Sequence, residues 1–200
     1  MLAIAGGKGG SGKTTTTLGL ARAIDTATLA IDADCDLPNL HALAGVPRDP
    51  PADGHGHLDP AAPSATRVVP APRDAPDGLG GRLRRLRDDD PQLALVDCPA
   101  GAGPDATVPL RVADRVLLVS SACVAGLRDA AKTAAMARAV GTPVVGGVVT
   151  RARLVPPGVD DLLGCPVVTA VPDAPEPLSD PDVRRAYRRL ARTLRNQPKA

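Results

Sequence analysis

A glycine-rich segment near the start of the chain constrains the fold more than any other feature. Residues 6–15 read GGKGGSGKTT and follow the short apolar run Leu2–Ala5. Residues 7–14 fit the phosphate-loop pattern G-x-x-x-x-G-K-[ST], between a strand and an apolar helical segment. Glycines permit positive φ and let successive backbone N–H groups turn toward an anion. The segment therefore predicts a loop that binds nucleotide phosphates, in preference to a plain glycine-rich turn.

The rest of the chain alternates short apolar runs with helix-period segments. The predicted strands are Leu2–Ala5, Thr28–Asp32, Arg67–Val69, Leu93–Asp97, Arg115–Ser120, Val144–Thr150 and Val167–Val171. The predicted helices are Lys13–Ile24, Leu37–Ala44, Gly78–Arg87, Leu127–Val140 and Asp182–Arg195. This alternation predicts an α/β fold with a doubly wound, mainly parallel sheet and helices on both faces. With 200 residues and 44% hydrophobic content, we expect residues 1–200 to form a single domain.

The segment Val46–Ala65 interrupts this pattern and is rich in Pro, Gly, Asp and His. We expect a long surface loop there. His55 and His57 are close enough in sequence to share a metal, but neighbouring histidines in a loop are usually solvated. His41 supplies no third ligand at a recognisable spacing.

Composition excludes several functional classes. Tyr187 is the only aromatic residue and the net charge is +2, which disfavours an aromatic RNA-binding module. The four cysteines form no C-x-x-C pair and are interpreted as buried hydrophobes in a reducing cytosol. The chain has neither a signal peptide nor an apolar run of membrane-spanning length, so we expect a cytoplasmic protein.

The phosphate loop also predicts which residues touch the ligand. Lys13 can reach the β- and γ-phosphates, and the Thr14 hydroxyl can ligate Mg²⁺. Asp97 ends a buried apolar strand, which is how a carboxylate is presented to Mg²⁺, often through water. The expected nucleotide contacts of the loop are Gly7, Gly9, Gly10, Ser11, Gly12, Lys13, Thr14 and Thr15.

A second lysine, Lys8, completes the pattern K-G-G-x-G-K-T over residues 8–14. With this deviant Walker A motif the chain resembles the MinD/ParA family of SIMIBI-class P-loop ATPases, most closely the MinD-like proteins. The resemblance implies ATP and Mg²⁺ as cofactors and an ATP-driven homodimer. In that dimer Lys8 would reach the partner's phosphates, much as an arginine finger does. The alternative for Lys8 is a solvated loop lysine.

The resemblance continues along nearly the whole chain. Residues 32–40 resemble the first switch of the family, which implies that Asp34 positions the attacking water and Asp32 supports the metal shell. A helix-capping role for Asp34 or Asp36 is the alternative. Residues 97–101, DCPAG, resemble the second switch. Further matches lie at residues 113–119, 127–130, 147–151 and 170–173.

Three positions depart from the family pattern. Ala122 and Cys123 stand where Pro-Glu is common, and Val46–Ala65 has no counterpart. Thr150 stands where many relatives use Asn to read the adenine edge. We expect Thr150, Arg151 and Pro172 to contact the nucleotide, with the Thr150 hydroxyl or the backbone near Pro172 reading the base.

The C-terminal helix carries an apolar stripe on one side and arginines on the rest. We interpret it as a docking helix with a solvated cationic face. Non-specific DNA binding through phosphate contacts is an alternative, and stable membrane anchoring is not expected.

These features together predict a Mg²⁺-dependent ATPase that works as a dimeric switch. We expect it to position or partition a cargo, such as a division site, chromosome or plasmid, and to be regulated by a partner protein. Lys8, Lys13 and Asp34 are the predicted catalytic residues, and Thr14, Asp32 and Asp97 the predicted metal-site residues. Two alternatives remain. One is a metallocentre-maturation or iron–sulfur ATPase using Cys98 and Cys123, and the other is a non-hydrolysing nucleotide-bound scaffold.

Overall fold

The structure is a computed structural model that describes residues 1–7, 9–51, 54–73, 78–89, 93–101 and 103–196. Its strands are β1 (Leu2–Ala5), β2 (Thr28–Asp32), β3 (His57–Leu58), β4 (Thr66–Val69), β5 (Leu93–Asp97), β6 (Arg115–Ser121), β7 (Val144–Thr150) and β8 (Val167–Val171). Its helices are α1 (Lys13–Ala23), α2 (Leu40–Ala44), α3 (Gly78–Asp89), α4 (Pro104–Val112), α5 (Val124–Ala139), α6 (Val159–Leu163) and α7 (Pro181–Arg195).

The strands form one sheet in the order β3-β4-β2-β5-β1-β6-β7-β8. All pairs are parallel except β3 with β4 at one edge. Side chains of the central strands alternate between two cores, with Leu2 and Ile4 in one and Ala3 and Ala5 in the other. Helices α1, α2 and α7 cover the first face, and α3, α4, α5 and α6 cover the second. The predicted doubly wound, mainly parallel α/β fold is therefore confirmed.

The segment Val46–Ala65 is not irregular throughout its described part. It contains β3, which pairs His57 with Val68 of β4, so the prediction of a plain surface loop is corrected there. Asp59 anchors the segment to α1, because Arg22 donates to its two carboxylate oxygens from Nε at 2.6 Å and Nη2 at 2.9 Å. Asp59 is buried, so this bidentate pair is shielded from solvent.

Helix boundaries differ from the prediction where side chains bind the backbone. Helix α2 begins at Leu40 instead of Leu37, because Asp34 Oδ1 accepts the Leu37 N–H at 3.0 Å and holds residues 34–37 in a turn. Helix α5 begins at Val124 instead of Leu127, with the Cys123 thiol accepting the Gly126 N–H as the N-cap.

Two helices were not predicted. Helix α4 begins with Pro104 and contains Pro109, and prolines in a sequence usually indicate a break in helical structure. Helix α6 has only five residues, too few to show a hydrophobic period. In the described ranges, none of the helices combines the length and the apolar character that crossing a bilayer requires.

Candidate nucleotide and metal site

The carboxyl ends of the neighbouring strands β1, β5 and β2 bring the predicted site residues together. Asp97 at the end of β5 pairs in register with Ile4 of β1 on one side and Asp32 of β2 on the other. The loop that follows β1 joins α1 at Lys13, so the phosphate loop and both carboxylates share one edge of the sheet. Ligands of open α/β sheets bind at this edge.

The first glycines of the loop are fixed by close packing. A Cβ on Gly6 would lie 2.2 Å from the Val119 carbonyl oxygen, and one on Gly7 would lie 2.1 Å from Cβ of Asp129 in α5. The Gly7 carbonyl accepts the Gly101 N–H at 2.9 Å, which ties the loop to the predicted second switch. Side chains larger than hydrogen therefore cannot stand at these two positions without moving the backbone.

The later glycines give the loop its open cradle. Gly10 and Gly12 have φ of 74° and 89°, in the left-handed region that favours glycine. A Cβ on Gly9 or Gly10 would meet nothing within 4 Å, so the loop there borders free space. Backbone N–H groups in such a loop, followed by the N-terminus of α1, form an anion-binding concavity.

Lys13, Thr14 and Asp97 meet at the end of the cradle. Lys13 is buried, and a buried ammonium requires anionic or polar partners. Burial raises the pKa of Asp97 to about 7, the Thr14 hydrogen bond and the Lys13 charge lower it, and the nearby negative charges of Asp32 and Asp34 raise it. Oδ1 of Asp97 is buried and has no hydrogen-bond partner among the residues that the structure describes.

Asp32 and Asp34 are held by the backbone of the segment after β2. Asp32 accepts the N–H of Asp34 at 3.0 Å and that of Leu40 at 3.1 Å. Burial raises the pKa of Asp32 to about 6, while these two hydrogen bonds lower it. Asp34 forms a turn with Leu37 and does not cap α2, whose N-cap is Asn39. Its carboxylate is close enough to Asp97 for the two charges to interact.

This geometry fits Mg²⁺. The unpartnered Asp97 Oδ1 beside the Thr14 hydroxyl offers oxygen ligands, which this cation prefers. Over the described part of the chain, no group of three His, Cys, Asp or Glu side chains could hold a metal alone. Mg²⁺ does not require such a group, because it is usually bound jointly by one or two protein oxygens, waters and phosphates.

A small cleft of about 70 Å³ continues from the loop toward the predicted base-binding residues. Its lining includes Gly12, Thr15, Thr150, Arg151 and Pro172, so the structure brings these predicted residues together. The Thr150 hydroxyl lies 2.8 Å from the Ser11 carbonyl oxygen and 3.2 Å from that of Ser120, and its hydrogen is directed to the backbone. Thr150 thus supports the phosphate loop and has only lone pairs left for a base.

Sequence reasoning missed two residues at the site. Tyr187 of α7 lines the cleft, and its hydroxyl lies 3.3 Å from the Thr16 hydroxyl of α1. Asp129 packs against Gly7 from α5. Both lie more than a hundred residues from the loop, so only tertiary structure brings them there. That Tyr187 is the only aromatic residue was the available signal.

Two other predicted features have different outcomes. Lys8 lies outside the described residues. Cys98 is buried and Cys123 is exposed, and burial raises the pKa of the Cys98 thiol well above its usual range. A thiol in that setting is a poor metal ligand, because ligation requires the thiolate.

Comparison with known proteins agrees with this geometry. Residues 2–176 match the family described as the CobQ/CobB/MinD/ParA nucleotide binding domain. A protein of Methanocaldococcus jannaschii, named as ATP-binding, is 29% identical over 92% of this chain and 76% of its own length. An iron–sulfur cluster carrier protein of Methanococcus maripaludis is 25% identical over 81% of this chain and 63% of its own length.

Among solved structures, the cell division ATPase MinD of Pyrococcus furiosus superposes with a TM-score of 0.77. The two chains are 25% identical, and the match covers 97% of each. The resemblance to the MinD/ParA family seen in the sequence is thereby confirmed. The phosphate loop, the carboxylates beside it and the match over residues 2–176 lead to one conclusion: the chain belongs to the CobQ/CobB/MinD/ParA family of nucleotide-binding domains.

Proposed function

We propose that residues 1–200 form a single cytoplasmic ATPase domain that works as an ATP-dependent dimeric switch. One observation carries this proposal: the buried Asp97 carboxylate has an oxygen without a hydrogen-bond partner among the described residues, and it lies beside Thr14 and Lys13 at the end of the glycine cradle. A cation would offset the charge of this buried carboxylate. Mg²⁺ bound with a polyphosphate would supply that cation, and Lys13 is placed to contact the phosphates.

Each residue of the site has a separate role in the transfer of a phosphoryl group to water. Backbone N–H groups of residues 9–15 hold the phosphates, and Lys13 contacts the β- and γ-phosphate oxygens. Thr14 and Asp97 would hold Mg²⁺, and Asp32 would support the metal shell. Bound Mg²⁺ neutralises charge on the phosphates. Asp34 orients the attacking water, and Lys8 adds charge stabilisation from the partner subunit.

Exposed apolar side chains support dimerisation through the same edge of the sheet. Leu37, Val124 and Leu154 follow β2, β6 and β7, and their exposed fractions are 74%, 66% and 81%. Exposed apolar groups around a functional site are typical of interaction surfaces. A second copy that covers this edge would bury them and would bring its Lys8 toward the nucleotide.

The biological role proposed here is spatial positioning or partitioning of a cargo, regulated by a protein partner. The similarity to the Pyrococcus furiosus cell division ATPase supports this role. Non-specific binding to DNA is part of this proposal, because α7 exposes arginines that could contact DNA phosphates. These arginines are at positions 184, 185, 188, 189, 192 and 195.

The iron–sulfur alternative is favoured by a similar protein but not by the surroundings of the cysteines. The similarity to the Methanococcus maripaludis carrier protein favours it. Against it, Cys98 is buried, and burial raises the pKa of its thiol well above the usual range, which disfavours the thiolate that a metal requires. An iron-free protein after anaerobic purification with iron and sulfide would exclude it.

ATP turnover by matched variants tests the proposed chemistry. We expect Mg²⁺-dependent ATP hydrolysis by the wild type and loss of ATP binding in Lys13→Ala. Asp34→Ala should bind ATP and hydrolyse it about a hundredfold more slowly, because it lacks the group that orients water. Asp160→Ala, at an exposed position of α6 outside every segment assigned to the site, is the control and should keep full activity. If the Lys13→Ala variant binds ATP as tightly as the wild type, the proposal is refuted. If the wild type binds ATP but does not hydrolyse it, the scaffold alternative is favoured.

A further inference from the structure

An arginine-lined cavity of about 640 Å³ lies at the amino ends of the central strands, on the sheet edge opposite the phosphate loop. Its walls come from the first residues of β1, β5 and β6, from the end of α1 with the turn that follows it, and from the C-terminal half of α7. The proposed ATPase chemistry uses none of the cavity's residues.

The surface that a ligand can reach inside the cavity is apolar over much of its extent. Four apolar lining residues are only partly buried and pack against the core, and they are named the apolar floor: Ala23, Ile24, Leu93 and Ala191. The lining leucines Leu2, Leu20 and Leu95, in contrast, are buried and offer a ligand almost no surface. The apolar floor is therefore the part that can contact the apolar groups of a ligand.

Exposed arginines of α7 form one wall of the cavity. They are named the cationic rim and comprise Arg188, Arg192 and Arg195. Their spacing of four and then three residues places them along one side of the helix, next to the apolar floor.

The carboxylates of the lining leave the cationic rim with an excess of positive charge. Asp25 lies 3.9 Å from Arg195, but 86% and 68% of the two side chains are exposed, so the pair is weak. Asp114 is bonded to the amino group of Met1. Among the residues that the structure describes, Arg188 and Arg192 have no carboxylate partner.

A cationic rim beside an apolar floor is complementary to an acidic amphipathic helix. Carboxylates at the same spacing of four and three residues on a partner helix would face the three arginines, and apolar side chains beside them would enter the cavity. The phosphate backbone of DNA would satisfy the arginines, as proposed above for α7, but it presents no apolar side chain to the floor. The combination of rim and floor therefore favours a protein partner at this cavity.

We propose that the arginine-lined cavity is the docking site for an acidic amphipathic helix of a partner protein. Apolar side chains of that helix contact the apolar floor, and its carboxylates pair with the cationic rim. The docking site rests on the proposed function in one respect, because it serves the protein partner of the switch. Binding itself uses neither the phosphate loop nor its carboxylates, so the docking site can fail while the ATPase stands, and the ATPase can fail while the docking site stands.

An NMR titration of the ¹⁵N-labelled full chain without nucleotide tests the docking site. The probe is a synthetic peptide of about 18 residues, long enough to form a helix, with one stripe of leucines flanked by glutamates. We expect saturable shifts of the amide signals of the apolar floor. Replacing the glutamates by lysines, or the leucines by serines, should weaken binding about tenfold or more. The absence of these shifts at millimolar peptide, or equal binding of the lysine peptide, would overturn the proposal.

Charge reversal at the rim distinguishes docking from a loss of fold. Arg192→Glu should weaken binding of the glutamate peptide about tenfold and strengthen binding of the lysine peptide, a gain that an unfolded variant cannot show. Ala191→Lys should obstruct the floor without removing positive charge, because the lysine stem lies across it. Arg189→Glu, at an exposed position of the same helix outside the cavity lining, is the control and should bind the glutamate peptide within about twofold of wild type.

Two further outcomes would refute the assignment. One is an affinity for the glutamate peptide that either Arg192→Glu or Ala191→Lys leaves unchanged. The other is a short DNA duplex that shifts the floor amides when the glutamate peptide does not, which would assign this face to DNA.

Discussion

Gly7 and Gly9 of the phosphate loop face different surroundings, and alanine at each should have a different effect. A Cβ on Gly7 would overlap Asp129, whereas a Cβ on Gly9 would enter free space. Gly7→Ala should therefore destabilise the protein by about 3 kcal/mol, as overpacking does. Gly9→Ala should change stability by less than about 0.5 kcal/mol. Urea unfolding without nucleotide measures both.

The effect on nucleotide binding should also distinguish Gly9 from Gly7. The space beside Gly9 is where we place the phosphates, so Gly9→Ala should weaken ATP binding about tenfold although the variant is fully folded. Fluorescence titration with a labelled ATP analogue measures this. Full ATP affinity in a folded Gly9→Ala variant would show that the phosphates lie elsewhere.

The raised pKa of Asp97 predicts how stability depends on pH without Mg²⁺. The native state holds this proton up to about pH 7 and the unfolded chain releases it near 3.8, so native stability falls as the pH rises between these values. From about pH 5 to about pH 8 Asp97 should contribute a loss of about 3 kcal/mol, in addition to the smaller loss from Asp32. Urea unfolding in chelator at several pH values measures the loss.

The Asp97→Asn variant is the control for this pH effect. Its stability should fall with rising pH only by the smaller amount due to Asp32. Because the raised pKa of Asp32 is about 6, that fall should end at a lower pH than the fall due to Asp97. Saturating Mg²⁺ and ATP should stabilise the wild type at high pH, because binding to the native state adds stability. A wild-type stability that rises with pH in chelator would contradict the burial of Asp97 as an unpartnered acid.

At this scale the sequence predicted which residues meet but not how each is used. Lys13, Thr14, Asp32 and Asp97 converge as their strand and loop positions indicated, because parallel strands end at a common edge. The backbone role of the Thr150 hydroxyl was not predictable, since its acceptors at Ser11 and Ser120 lie on distant segments.

At the scale of elements, a glycine in α1 allows α7 to pack closely against it. A Cβ on Gly19 of α1 would lie 2.3 Å from the Tyr187 ring of α7. Gly19→Ala should therefore destabilise the wild type by about 2 kcal/mol through overpacking. In a Tyr187→Leu background the same change should stabilise by about 0.5–1 kcal/mol, because alanine favours helix over glycine.

A double-mutant cycle of unfolding free energies measures this change of sign. Additive effects of the two substitutions would show that the helices do not meet at Gly19. The Thr16 hydroxyl, which Tyr187 also contacts, lies one turn closer to the phosphate loop, so the same packing links α7 to the site.

Elements with a clear hydrophobic period were the ones that the sequence predicted well. β1, β2, β5, β7 and β8 have the predicted bounds, because each is a short, mainly apolar run between segments of different composition. Helix α4 was not predicted, because proline usually interrupts a helix, although Pro104 stands at the first turn, where proline is tolerated. The two-residue β3 escaped because pairing with β4, and not its own composition, makes it a strand.

At the scale of the whole molecule, the two edges of the sheet carry different features. The carboxyl edge holds the phosphate loop, the carboxylates and the exposed apolar residues of the proposed dimer face. The amino edge holds the arginine-lined cavity. Helices α1 and α7 run between both ends, so the nucleotide site and the cavity share two rigid elements. The sequence predicted the first end from a motif and gave no sign of the second, because its residues come from five separate segments.

The central claim is that ATP, and not ADP, joins two copies through the carboxyl edge, and the molar mass in solution tests it most directly. Light scattering on the Asp34→Ala variant, which should hold ATP without hydrolysing it, should give the 20.3 kDa monomer with Mg²⁺ and ADP and twice that mass with Mg²⁺ and ATP. Adding Lys8→Ala should keep ATP binding and abolish the dimer. A mass that does not respond to ATP, or a dimer that survives the loss of Lys8, would contradict the account.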